Sequence, residues 1–187
     1  MIRRMSALGL VVLCAAACAR SPLPRPQSPE SEPPDPARVP VYEGVLRHLA
    51  GADLGGRWRH VYVASPICPG AGGAEDRRPC TDAFSASEQS QLTRRLRDLH
   101  GDVRFVPADR VRPLVRGIFD GEPAGGLAVR GAVLLRVGSI VDEGAGRVSV
   151  PGSYYCGGLC AGGATWLLRW TGDAWEVAGP KDGEWIS

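Results

Sequence analysis

The stretch "RVSVPGSYYCGGLCAGGATWLLRW", Arg147 to Trp170, decides the fold. Two runs of strand character, "RVSVPGSYY" and "ATWLLRW", flank "CGGLCAGGA", in which the chain must reverse direction. Four glycines in that segment supply the positive φ angles a reversal needs. So much glycine costs entropy to order, and a covalent clip between Cys156 and Cys160 would reduce the unfolded ensemble that has to be given up. Two consecutive strands joined by so short a connection pair antiparallel.

The same reading extends in both directions. Downstream lie a turn at "TGD" and a strand at "AWEVAG"; upstream, "LAVRGAVLLRVGSIV" ends in a turn at "DEGAG". Earlier still, "DVRFVP" and "RWRHVYVAS" read as strands, the latter placing Trp58, His60 and Tyr62 on one side and Arg59, Val61 and Val63 on the other. Two helices stand out. In "VPVYEGVLRHLAG", Val41, Val45, Leu46 and Leu49 recur at helical spacing with Gly51 at the end. In the second helix, Ser85 and Glu88 form a capping-box pattern, Leu92, Leu96 and Leu99 form an apolar stripe, and Gly101 is placed to cap the C-terminus. Breakers make Ser65 to Thr81 a loop and Ala108 to Leu127 irregular chain with at most one helical turn. The expected fold class is α+β, an antiparallel β-meander with one or two helices packed on one face.

Tyr155 to Cys160 ("YCGGLC"), Gly162 and Gly163, Trp166 to Leu168, Gly172 to Val177 and the final "WIS" at Trp185 to Ser187 resemble the C-terminal module of a group of uncharacterised exported bacterial proteins. The resemblance covers roughly the last sixty residues. It implies an exported domain built on this sheet, with a cystatin-like roll as its form, and it implies no activity.

The N-terminus agrees with export. Arg3 and Arg4 precede an apolar run from Met5 to Ala17, the order found in secretory signal peptides, and the run is too short for the roughly 20 residues a bilayer span needs. Its ending, "CAAAC", resembles the lipobox of bacterial lipoproteins, which makes Cys18 the acylated first residue of the mature chain. Ala17-Cys18-Ala19 also satisfies the A-x-A rule of ordinary secretion. Between Ser21 and Pro40 stand eight of the chain's 16 prolines. Such a segment buries no core, and in the polyproline conformation it reaches ~60 Å. The expected organisation is a signal peptide over 1–17, an anchor cysteine and tether over 18–40, and one globular domain over 41–187. The localisation that follows is the cell envelope, at the outer membrane for a Gram-negative source.

Charge narrows the partners. Of the 22 basic residues five precede Val41, and of the 20 acidic residues three do, so the domain carries seventeen of each. A domain with no net charge has no long-range field for nucleic acid. The expected partners are the membrane, through the lipid, and an envelope protein or glycan. No phosphate-cradling glycine loop is followed by lysine, Lys181 being the only lysine, and no cofactor is expected.

Setting aside Cys14 and Cys18 leaves Cys68, Cys80, Cys156 and Cys160, an even number suited to two disulfides in an exported domain. Of three connectivities, the local one, Cys68 with Cys80 and Cys156 with Cys160, needs the fewest assumptions. A zinc tetrathiolate fits the spacing of the first pair poorly, so no metal is expected. A thiol-disulfide oxidoreductase using Cys156 and Cys160 is the alternative, although its usual motif is one residue shorter and begins a helix. A nucleophilic Cys160 would need a base from His48, His60 or His100, and nothing in the sequence ties any of them to it. Trp166, Trp170 and Trp175 are the remaining candidates. They either pack beneath the helices or form an aromatic face for sugar rings, and Leu168 between the first two favours packing. The sequence leans toward a binding or structural domain over an enzyme.

Overall fold

The computed structural model describes residues 37–51, 58–70, 79–80, 82–98, 102–116, 126–158 and 160–186. The signal segment, Cys18, most of the tether, Leu99, His100 and Gly101 lie outside the described residues. Helix α1 is Arg38–Gly51, followed by strands β1 (His60–Ala64), β2 (Pro66–Ile67) and β3 (Asp82–Ala83), then α2 (Ala86–Arg95), β4 (Asp102–Val106) and α3 (Ala108–Leu114). The remainder is strand: β5 (Val115–Arg116), β6 (Gly126–Leu127), β7 (Ala132–Val137), β8 (Val141–Gly144), β9 (Arg147–Gly157), β10 (Cys160–Trp170) and β11 (Trp175–Ile186).

The main sheet runs β11-β10-β9-β7-β1-β4, with β8 and β6 also pairing β9 and β5 pairing β6. From β7 to β11 it is the antiparallel meander: β9 meets β10 from Arg147↔Arg169 to Gly157↔Cys160, and β10 meets β11 from Trp170↔Trp175 to Gly162↔Ile186. The turn before β11 is closed by Thr171, whose hydroxyl donates to Asp173 at 3.0 Å, while Gly172 takes φ 104°. Pro151 is tolerated within β9 because it stands where that strand passes from β8 to β7, where no ladder donor is needed.

The other end of the sheet adds something the sequence reading lacked. β1 lies parallel to both β4 and β7, in register from His60↔Asp102 and His60↔Ala132. Parallel neighbours need crossovers, and α2 and α3 lie in them. One crossover leads outward from β1 to β4; the next returns past β1 to β7. Sharing the usual hand, the two place their helices on opposite faces. The α+β class stands, with α1 and α2 on one face as expected. The irregular segment after Ala108 is corrected: it begins with seven helical residues, and Val111 and Leu114 pack with Ala64, Val115 and Leu134 on the second face.

α1 buries Val41, Val45, Leu46 and Leu49 against Val61, Val63, Val133 and Leu135 of the sheet, together with Leu92 and Leu96 of α2. Tyr42 donates its hydroxyl to the carbonyl of Gly138 at 3.1 Å, and burial pushes its pKa up to about 12. α2 begins with the expected capping box, Ser85 N–H donating to Glu88 Oε2 at 2.8 Å and Glu88 N–H to Ser85 Oγ at 3.2 Å. It closes at Leu96, earlier than the Gly101 cap expected, and the Leu96 N–H still reaches Leu92 O. Arg95 of α2 donates to Glu43 of α1 at 3.0 Å, and Arg47 of α1 donates to Asp98, just past the end of α2, at 2.8 Å. Among the described residues no helix is long and apolar enough to cross a membrane.

Candidate functional site

The four cysteines of the domain form two separate disulfides. Cys68 and Cys80, Cα atoms 4.1 Å apart, close the loop between β2 and β3, whose residues 71–78 lie outside those described. Cys156 and Cys160, Cα atoms 5.2 Å apart, join the end of β9 to the start of β10, where Gly157 takes φ 152°. Both lie on strands, and neither stands at the N-terminus of α1, α2 or α3, where a thiol pKa would be lowered. They pack against the main core. His48 meets the Trp166 ring edge-on at 4.2 Å, and His60 stands beside Tyr62 on the opposite face of the sheet. Among the described residues no three His, Cys, Asp or Glu side chains converge as a metal site.

Of the two readings of Trp166, Trp170 and Trp175, the packing that the sequence favours is the one seen, and the aromatic face is corrected. Trp166 is 3 % exposed and Trp175 4 % exposed, because α1 lies across β9, β10 and β11 and covers that side. Trp170 is partly buried, its ring 5.8 Å from that of Trp175. Leu168 shares the packed face, as its place between two tryptophans implied. The exposed tryptophan is Trp185, at 36 %.

The second face carries a constellation that residue type alone does not reveal. Period-2 alternation turns Arg136 of β7 away from α1 and α2, and the register sets it opposite Ser153 of β9; one row on, Leu134 stands opposite Tyr155. These four residues share one face. Leu134 is covered by α3 and Val115, while Arg136 and Tyr155 lie only partly exposed beside it. Among the described residues Arg136 makes no hydrogen bond or ion pair, and burial lowers its pKa from the ordinary arginine value. Among the described residues the buried Tyr155 hydroxyl has no partner, and burial raises its pKa. His60 Nδ1, on the same face two strands from Tyr155, is likewise buried with no partner among the described residues. Elsewhere on the sheet Asp102 pairs with Arg104, and Glu143 takes hydrogen bonds from Lys181 and Ser149, each at 2.6 Å.

Cysteines and tryptophans are rare enough to draw attention in a sequence, whereas Arg136 is one of 21 arginines. The signal that could have found it is its context. In "AVLLRV" every other residue is buried, so the arginine interrupts a strand buried on both faces. No family model matches this chain, and neither the curated proteins nor the solved structures contain a match to it.

Proposed function

We propose that this chain is an exported lipoprotein, held in the cell envelope through Cys18 and acting by binding, not catalysis. The proline-rich tether spaces the domain from the membrane, and its partner is an envelope protein or an envelope molecule. The observation that carries the reading is the pairing of all four domain cysteines as two local disulfides, the usage of an oxidising compartment, behind a segment of signal-peptide form. The placement of Cys156 and Cys160 supports a structural role over a redox one, since neither sits where a thiolate is stabilised. Two or more acyl chains hold a protein on a membrane stably, which a single chain does not. Metabolic labelling with a fatty acid, followed by fractionation, tests it: the chain should carry label and sediment with membranes, and Cys18→Ser should lose both. A mature, unlabelled protein beginning at Arg20 would overturn the anchor.

A further inference from the structure

We propose that Arg136, Ser153 and Tyr155 form a binding site for an oxyanion, the carboxylate or phosphate group of a small ligand. The three side chains stand on adjacent strands, Arg136 directly opposite Ser153 and diagonal to Tyr155. Diagonal neighbours lie about 7–8 Å apart at Cα, within reach of long side chains. The chemistry is one-sided. A guanidinium offers donors only, the tyrosine and serine hydroxyls each add one, and among the described residues no carboxylate pairs with the guanidinium or the tyrosine hydroxyl. A partly desolvated guanidinium gains from a charged acceptor, a buried hydroxyl without a partner among the described residues is costly, and one group that accepts from both serves both. An acceptor with several lone pairs and negative charge does this, and the planar guanidinium fits a carboxylate or a phosphate in two-point fashion. Rigid strands hold the donors in place, and α3 over Leu134 keeps bulk water from one side of the site. Among the described residues Arg136 does not make the ordinary structural pairing of a half-buried arginine with an acid, and Asp102 and Glu143 are engaged with other cations.

The inference rests on the domain's being a binding module and is independent of the lipid anchor, so loss of Cys18 labelling would leave it standing. The test is thermal unfolding of the detergent-solubilised full chain titrated with sodium phosphate or sodium acetate, against sodium chloride at matched ionic strength. The expected result is a saturable rise in Tm with one or both oxyanions and none with chloride. Arg136→Met, which keeps the volume and removes the charge, should abolish the rise. Tyr155→Phe, which removes one oxygen, should weaken apparent affinity by about tenfold, the loss of a charge-assisted hydrogen bond. Wild-type protein that does not distinguish the oxyanions from chloride overturns the site, as does a Tyr155→Phe variant that folds and binds as tightly as wild type. A third arm uses vesicles of phosphatidylglycerol or phosphatidylcholine with Cys18→Ser protein. Binding to the anionic vesicles alone, with no response to phosphate or acetate, assigns the arginine to a lipid surface and overturns the small-ligand reading.

Discussion

The indole Nε1 of Trp166 donates a hydrogen bond to the carbonyl oxygen of Gly152, 3.2 Å away on the neighbouring strand. The same glycine leaves the room the ring occupies, since a Cβ at Gly152 would lie 3.0 Å from Trp166 Cδ1 and 3.0 Å from Leu49 Cδ1. Trp166 therefore joins β10, β9 and α1 in one packed contact. Trp166→Ala should cost about 3–5 kcal/mol, the range for truncating a buried tryptophan. Denaturant unfolding measures this directly, and a loss below ~1 kcal/mol would mean that the ring is not part of the core.

Gly44 makes a second prediction, of the opposite sign to helix propensity. In the interior of a helix, alanine is ordinarily better than glycine by about 1 kcal/mol. Here a Cβ at Gly44 would run into the backbone carbonyl of Trp175 and stand 3.1 Å from Leu168 Cδ2, because α1 passes close over the β10–β11 hairpin. A backbone carbonyl cannot turn aside as a side chain can. Gly44→Ala should therefore destabilise by about 1–3 kcal/mol, as overpacked cores do, and a Tm equal to or above that of wild type would contradict the close approach.

The legible part of this fold is the part in which local pattern and tertiary packing agree. Ser85 and Glu88 announced the start of α2 because a capping box is made within four residues. Its end was misread because Leu99 and Gly101 continue the pattern while the chain turns off at Leu96. The meander was visible in the short turns between long strands; the parallel pairing of β1 was not, since crossovers leave no local mark and Pro113 disguises α3 as loop. Alternation put Trp166 and Leu168 on one face without saying which face α1 would cover. The Arg136 constellation belongs to register between distant strands, and no local pattern records register.

Glu143 gives the protein a definite response to acid. It accepts hydrogen bonds from Lys181 on β11 and Ser149 on β9, and these hold its carboxyl below the ordinary range, Lys181 contributing most. A carboxyl whose pKa is depressed by folding adds stability that is fully present above its unfolded value and is lost as pH falls through the folded one. The stability gap between wild type and Glu143→Gln should be widest near neutral pH and close in acid, read from urea midpoints across a pH series. The pair is partly exposed, so the gap should also narrow with added salt. A gap constant across pH would show that the Glu143 charge contributes nothing.

In "CGGLC" the disulfide of Cys156 and Cys160 joins the end of β9 to the start of β10. Gly157 pairs with Cys160 at the end of the β9–β10 ladder, so the disulfide spans the one place where those two eleven-residue strands are joined. A clip over a five-residue loop should stabilise by about 2 kcal/mol through loop-closure entropy, and it acts on the unfolded chain, not on any contact of the folded one. Replacing both cysteines with serine should lower stability by that amount while leaving Trp166 buried and its fluorescence native. Non-reducing peptide mapping should recover Cys156 joined to Cys160, and the native protein should show no free thiol at either position and resist mild reductant. A pair that cycles under mild reductant, with a potential among those of the oxidoreductases, would instead make this hairpin a redox site, because a staple needs only to remain closed whereas a catalytic pair must open and re-form.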